Sequence, residues 1–111
     1  MKTPEAKVKD EIKAYLKSIG AYYFMPVQTG YGATTVDILV CHEGKFMAIE
    51  IKAPKAGQMP EPSARQKLVL EQVNDAFGRA YCVDSLDMLK SCMRRSGFVI
   101  VDLVKYDPLQ I

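Results

Sequence analysis

The sequence predicts an α/β domain in which a small mixed β-sheet is flanked by helices. Apolar residues recur at helical spacing in some stretches and alternate at strand spacing in others, in an order that interleaves the two. Two adjacent strand-like runs meet at Glu43-Gly44, and an X-Gly pair between alternating apolar runs marks a two-residue hairpin. A helical stretch then separates the second run from the next strand, the kind of crossover that parallel strands require.

The elements follow in chain order. Thr3-Pro4 starts a helix, with a hydroxyl N-cap and a proline at the first helical position. Val8, Ile12, Tyr15, Leu16 and Ile19 form its apolar stripe, and Gly20 stops it. Residues 21–25, AYYFM, are strand-like. Pro26 and the segment QTGYGATT, with Gly30 and Gly32, break that strand into a long loop that ends at an acid, Asp37. Strands are expected over 37–42 and 45–51, and APKAGQMPEP is an exposed Pro/Gly connector. Ser63 opens a second helix expected to run through Phe77, with Leu70, Val73 and Phe77 on one face and Gly78 as its stop. Residues 79–83 read as a strand parallel to the one before the crossover. Asp84 or Ser85 caps a short helix to about Met93, and FVIVDLV after Gly97 is a candidate final strand.

A chain of 111 residues without repeats reads as one domain, 1–111, with 94–111 a candidate strand and dimerisation extension. The order is αβββαβα with a candidate last strand. Neither a secretory apolar segment nor a membrane-length run occurs, which predicts a soluble, unprocessed protein. Cys41, Cys82 and Cys92 are odd in number and none is in a C-x-x-C pair, so free thiols in a reducing cytoplasm are expected and a zinc site is not. The net charge of +2 announces no polyanionic partner; any basic surface must be local, as at Arg94-Arg95 or the lysines of the first helix.

The chemistry lies in VDILVCHEGKFMAIEIK, residues 36–52. With a two-residue turn at 43–44, His42 faces Lys45, Cys41 faces Phe46, and Asp37 falls opposite Glu50. Directly opposed residues have Cβ atoms roughly 4.5–5.5 Å apart, so two carboxylates converge and repel. Alternation puts Glu50 and Lys52 on that same face and sends Met47, Ile49 and Ile51 to the other. Opposed carboxylate oxygens without imidazoles or thiolates suit Mg²⁺ or Mn²⁺. Such an ion lowers the pKa of a bound water, and a lysine beside it orients that water or offsets charge on phosphorus oxygens. The competing structural reading makes Asp37 a solvent-edge acid and Glu50 and Lys52 an ion pair on an exposed sheet. E-x-K alone would favour that reading; the combination with Asp37, the glycine loop and the following helix favours a site.

Asp37, a twelve-residue spacer and Glu50-Ile51-Lys52 resemble the signature of the PD-(D/E)-x-K nuclease superfamily. The wider context resembles its VRR-NUC (virus-type replication-repair nuclease) domain. That likeness runs from Pro4 to about Leu89: a glutamate in a helix ending YLKSIG, a glycine loop, VDILV, MAIEIKAPKAG, a Ser-x-x-Gln helix start, AYCVDS and a short helix. Val36 departs from the proline common before the acid.

The resemblance implies an αβββαβ restriction-endonuclease-like core and a Mg²⁺- or Mn²⁺-dependent DNA endonuclease. It implies Asp37, Glu50 and the Ile51 carbonyl as metal ligands and Lys52 as the catalytic lysine. It also matches Gln66 to a helical glutamine of the site and Glu5 to a first-helix metal ligand, with Glu11 as competitor. Glu5 shares the stripe of Val8, Ile12 and Leu16, although a first-turn acid also suits the helix dipole. Gln66 shares a face with Leu70 and Val73, although Ser63-x-x-Gln66 is also a capping box, and one side chain can hold both roles.

Lys55 and Arg65, which flank the site in sequence, are candidate DNA contacts, as is Tyr31 on the glycine loop. Tyr22, Tyr23 and Phe24 read as core, and His42, beside the turn, as solvated. By analogy the protein is a homodimer acting on branched DNA such as four-way (Holliday) junctions, in DNA repair, in the cytoplasm of a bacterial or phage-infected cell, without a membrane. The rival expectation is a non-catalytic nucleic-acid-binding or assembly module of the same fold.

Overall fold

The computed structural model describes residues 2–27 and 35–98. In order these form α1 (Pro4–Ser18), β1 (Tyr22–Phe24), β2 (Ile38–His42), β3 (Lys45–Ile51), α2 (Ala64–Asp75), β4 (Arg79–Val83) and α3 (Leu86–Arg95). The strands make one four-stranded sheet in the order β1-β2-β3-β4. β1, β2 and β3 are antiparallel neighbours, and β4 joins β3 in parallel after the α2 crossover. The chain is thus the mixed α/β domain expected.

Local chemistry accounts for most boundaries. Thr3 Oγ1 accepts from Ala6 N at 3.2 Å with Pro4 at the first helical position, so α1 starts where the hydroxyl relieves an unpaired N–H. Ser85 caps α3 in the same way, accepting from Met88 N at 3.0 Å. In the hairpin Glu43 and Gly44 both take positive φ, 53° and 75°, the conformation whose twist matches that of the flanking strands.

The end of α2 differs from expectation. The helix stops at Asp75, and Phe77, not Gly78, takes the left-handed conformation at φ 68°. The Phe77 and Gly78 amides donate back to the Asn74 and Val73 carbonyls. Gly78 is needed for a different reason: a Cβ there would lie 2.7 Å from Val73 Cγ1 and 3.3 Å from Phe46 Cδ1. The chain turns too close to its own helix for any side chain, and the left-handed residue falls one position earlier.

Each sheet face has its own cover. Ile38, Val40, Met47, Ile49 and Ile51 point to the face packed by α1 and α3, where Ile12, Leu16, Leu89 and Met93 complete the main core. On the opposite face Val36, Ala48 and Leu70 form a smaller cluster beneath α2, which packs on β3 and β4. Tyr23 packs against the main core as expected, but Tyr22 and Phe24 point to the α2 face and are exposed. Period-two alternation separates them from Tyr23, and α2 does not reach over β1.

His42, expected to be solvated, instead stacks on Phe98 with ring centroids 6.0 Å apart. Phe98 is buried in the main core; the rest of the expected final strand, 99–104, and the segment holding Gly30, Tyr31 and Gly32 lie outside the described residues. Among the described residues no helix is long and apolar enough to cross a membrane.

Candidate active site

The hairpin ladder runs from His42 opposite Lys45 to Ile38 opposite Ile49. One further step along that register brings Asp37 opposite Glu50. Asp37 occupies the bend just before β2, and its Oδ2 accepts a hydrogen bond from Ile51 N at 2.8 Å. The acid that the turn spacing aims at Glu50 is therefore also tied to the end of β3, through the backbone of Ile51.

Glu50 is the one buried charged residue among the described residues, 3% exposed in the middle of the sheet on the α2 face. Its Oε2 lies 3.3 Å from Lys52 Nζ, while Oε1 is buried without a hydrogen-bond partner. Burial, with the Asp37 carboxylate adding to it, pushes the Glu50 carboxyl up to about 7, and Lys52 offsets only part of the rise. Beside Glu50 on β4 the Cys82 thiol is pushed up to about 11, first by burial and then by Glu50.

Lys52 is held from two sides. Its Nζ donates to Gln66 Oε1 at 2.8 Å, and the same oxygen accepts from Ser63 N at 2.9 Å. Ser63 Oγ accepts from Gln66 N in return, completing the capping box. Gln66 thus serves both expected roles, capping α2 and reaching the lysine. The Lys52 backbone N–H donates to Val83 O, which locks the lysine to β4 just past the end of β3.

Two participants escaped sequence reasoning. Lys9 Nζ lies 3.3 Å from Asp37 Oδ1, so α1 contributes a cation to the acid pair. Lys9 follows Glu5 by one helical turn, and that spacing on the sheet-facing side of α1 is the signal that could have found it. Asp84, just beyond β4, joins Glu5, Lys52, Lys55, Met59 and Glu61 in lining a cavity of about 320 Å³. Glu5 therefore lines the same cavity as Lys52, whereas Glu11 is exposed and lines no part of it. Lys55 is exposed at the cavity rim, and Arg65 is exposed in the first turn of α2 next to Gln66. Tyr31 falls outside the described residues. Among the described residues no group of three or more His, Cys, Asp or Glu converges, so Glu5 stands apart from the Asp37–Glu50 pair.

A buried carboxylate oxygen with no partner, beside a second carboxylate, is an oxygen donor set that fits a hard divalent cation such as Mg²⁺ or Mn²⁺. Asp37 and Glu50 would hold it, with the Ile51 carbonyl at the end of β3 as the further ligand that the resemblance implies.

The raised carboxyl has a consequence for stability. Because Glu50 holds its proton more tightly when folded than when unfolded, its contribution is fully present below about pH 4.5 and is lost as pH rises through about 7. Glu50→Gln, neutral at every pH, escapes that loss. In chelator the melting temperature of Glu50→Gln should therefore rise relative to wild type from about pH 5 to about pH 8. A gap that stays constant would mean that Glu50 is not ionising against its surroundings. No protein-family model matches the chain, and no curated protein sequence matches it.

Proposed function

We propose that the protein is a metal-dependent DNA endonuclease of the PD-(D/E)-x-K type, VRR-NUC-like, that hydrolyses phosphodiester bonds in branched DNA such as four-way junctions. The observation that carries this reading is the buried Glu50 opposite Asp37, with one carboxylate oxygen unpartnered and the other beside Lys52. A structural ion pair explains Lys52 but gives no reason for a second acid aimed at Glu50. Mg²⁺ or Mn²⁺ bound there would supply Lewis-acid polarisation of a phosphate oxygen and a water acidic enough to attack near neutral pH.

The chain's own residues do the rest. Asp37, tied to Ile51 N, holds its carboxylate at the end of β3 without needing a long, flexible side chain. Lys52 has three ammonium protons, and Gln66 Oε1 and Glu50 Oε2 orient it while leaving a donor for a phosphate oxygen or the attacking water. The start of α2, where Gln66 and Arg65 sit, presents a helix N-terminus to an anion at that place. The homodimer and the role in DNA repair rest on the family likeness alone, and the cytoplasm on the free cysteines.

One observation favours the rival, non-catalytic binding module: Lys9 already supplies a cation to Asp37. A panel of four-way, flapped and linear DNAs incubated with Mg²⁺, Mn²⁺ or chelator separates the two. The expected result is cleavage that requires the metal and is fastest on branched substrates. Binding of the panel without cleavage of any member in either metal would establish the module instead.

A further inference from the structure

The α2 face of the sheet carries a second feature that the acid pair does not use. Side chains on that face form successive rungs across the strands. Tyr22, Cys41 and Phe46 share one rung; Phe24, Leu39 and Ala48 share the next; and one more step leads to Asp37 and Glu50. α2 covers this face over β3 and β4, leaving Tyr22 72%, Phe24 54% and Phe46 44% exposed. Beside Phe46, just past α2, Phe77 is 89% exposed on left-handed backbone that a residue other than glycine seldom adopts.

These are aromatic rings, not aliphatic side chains, and successive rungs on one face lie about 7 Å apart. The track ends at cations: Lys9 and Lys52 stand at the acid rung. Flat rings that lead to cations suit a strand of nucleotides, whose bases stack while its phosphates meet the charges. A base-paired duplex hides its base faces in its own stack, so the matching ligand is unpaired.

We propose that Tyr22, Phe24 and Phe46 form a stacking platform for unpaired nucleotides, which leads a single-stranded segment along the sheet to the Asp37–Glu50 rung. The platform rests on the nuclease reading only for its direction, since stacking requires no turnover. It narrows the substrate from branched DNA in general to DNA with an unpaired stretch next to the cut.

The test is binding in chelator, so that cleavage plays no part. Fluorescence anisotropy would follow a fluorescein-labelled oligothymidylate of about a dozen nucleotides and a blunt duplex of the same length. Tyr22→Ala and Phe24→Ala should each weaken binding of the single strand about 5-fold or more and change duplex binding less than about twofold. Tyr22→Phe and Phe24→Tyr, which keep the ring, should bind the single strand like wild type. Both positions are exposed, and circular dichroism would verify that the variants fold.

Unchanged single-strand affinity in the alanine variants overturns the proposal. It does so equally if their mass in light scattering has fallen, because the face is then a contact between copies of this chain. Equal losses on single strand and duplex also overturn it, since stacking on open bases would not produce them. A protein that cuts no DNA yet shows the predicted losses would end the nuclease reading and leave the platform standing. One that cuts the branched panel while the alanine variants bind like wild type would do the reverse.

Discussion

Lys52→Ala is expected to slow phosphodiester cleavage about a thousandfold while metal binding survives. The lysine is no ligand: its ammonium is engaged by Gln66 Oε1 and Glu50 Oε2 and acts toward the phosphate or the water. Its loss should nevertheless leave a trace in metal binding. Lys52 draws the Glu50 carboxyl downward against burial and Asp37, so without it Glu50 keeps its proton to higher pH. A cation needs the ionised form, and its affinity near neutral pH should fall modestly and recover as pH is raised. Single-turnover cleavage and calorimetric Mn²⁺ titrations at several pH values would separate the two effects. A variant that cuts at the wild-type rate would remove Lys52 from the mechanism, and one that no longer binds metal at high pH would make its role structural.

Asp37→Asn should divide stability from function in a different way. The carboxylate does three things: it accepts from Ile51 N, it pairs with Lys9, and it raises the Glu50 carboxyl. Asparagine keeps an oxygen for Ile51 N. The lost pair with Lys9 is partly exposed and worth about 1 kcal/mol or less, while relief of the repulsion on buried Glu50 acts in the opposite direction. The variant should therefore melt in chelator at about the wild-type temperature or above it. With metal the order reverses. At a free ion concentration near a hundred times Kd, mass action stabilises the wild type by about 2.7 kcal/mol, on the order of 10 °C in melting temperature for a domain of this size. The variant, lacking a charged ligand, should gain only a small part of that and should cleave poorly. Strong destabilisation in chelator, with the full gain from metal retained, would show that Asp37 serves the fold and not the ion.

Both experiments bear on residues visible in the sequence, and the reason they were visible is local. A two-residue turn at Glu43-Gly44 dictates its own register, and counting back along two strands brings Asp37 to Glu50 without knowledge of any other element. The Ser63–Gln66 capping box is likewise a short-range match, and its geometry is the one expected. Alternation assigned Met47, Ile49 and Ile51 to the core face. In each case the energy that selects the arrangement comes from groups near in sequence or paired across a tight turn.

What could not be read depended on where distant elements come to rest. Lys9 meets Asp37 only because α1 packs across the sheet face opposite α2 and brings its first turns to the end of β3. Lys52 and Asp84 share a cavity because the α2 crossover returns β4 parallel to β3, so that the chain leaves both strands at the same end, and the first turn of α1 adds Glu5 to it. The exposure of Tyr22 and Phe24 has the same origin. An apolar strand residue is buried or open according to whether a helix lies over its face, and alternation says only which residues share that face. Here α2 lies over β3 and β4, so Tyr22 and Phe24, which the sequence suggested for the core, remain open to solvent. Short-range rules specify rungs, caps and faces; long-range packing settles which faces are covered and which charges meet, because those contacts join residues that no local energy brings together.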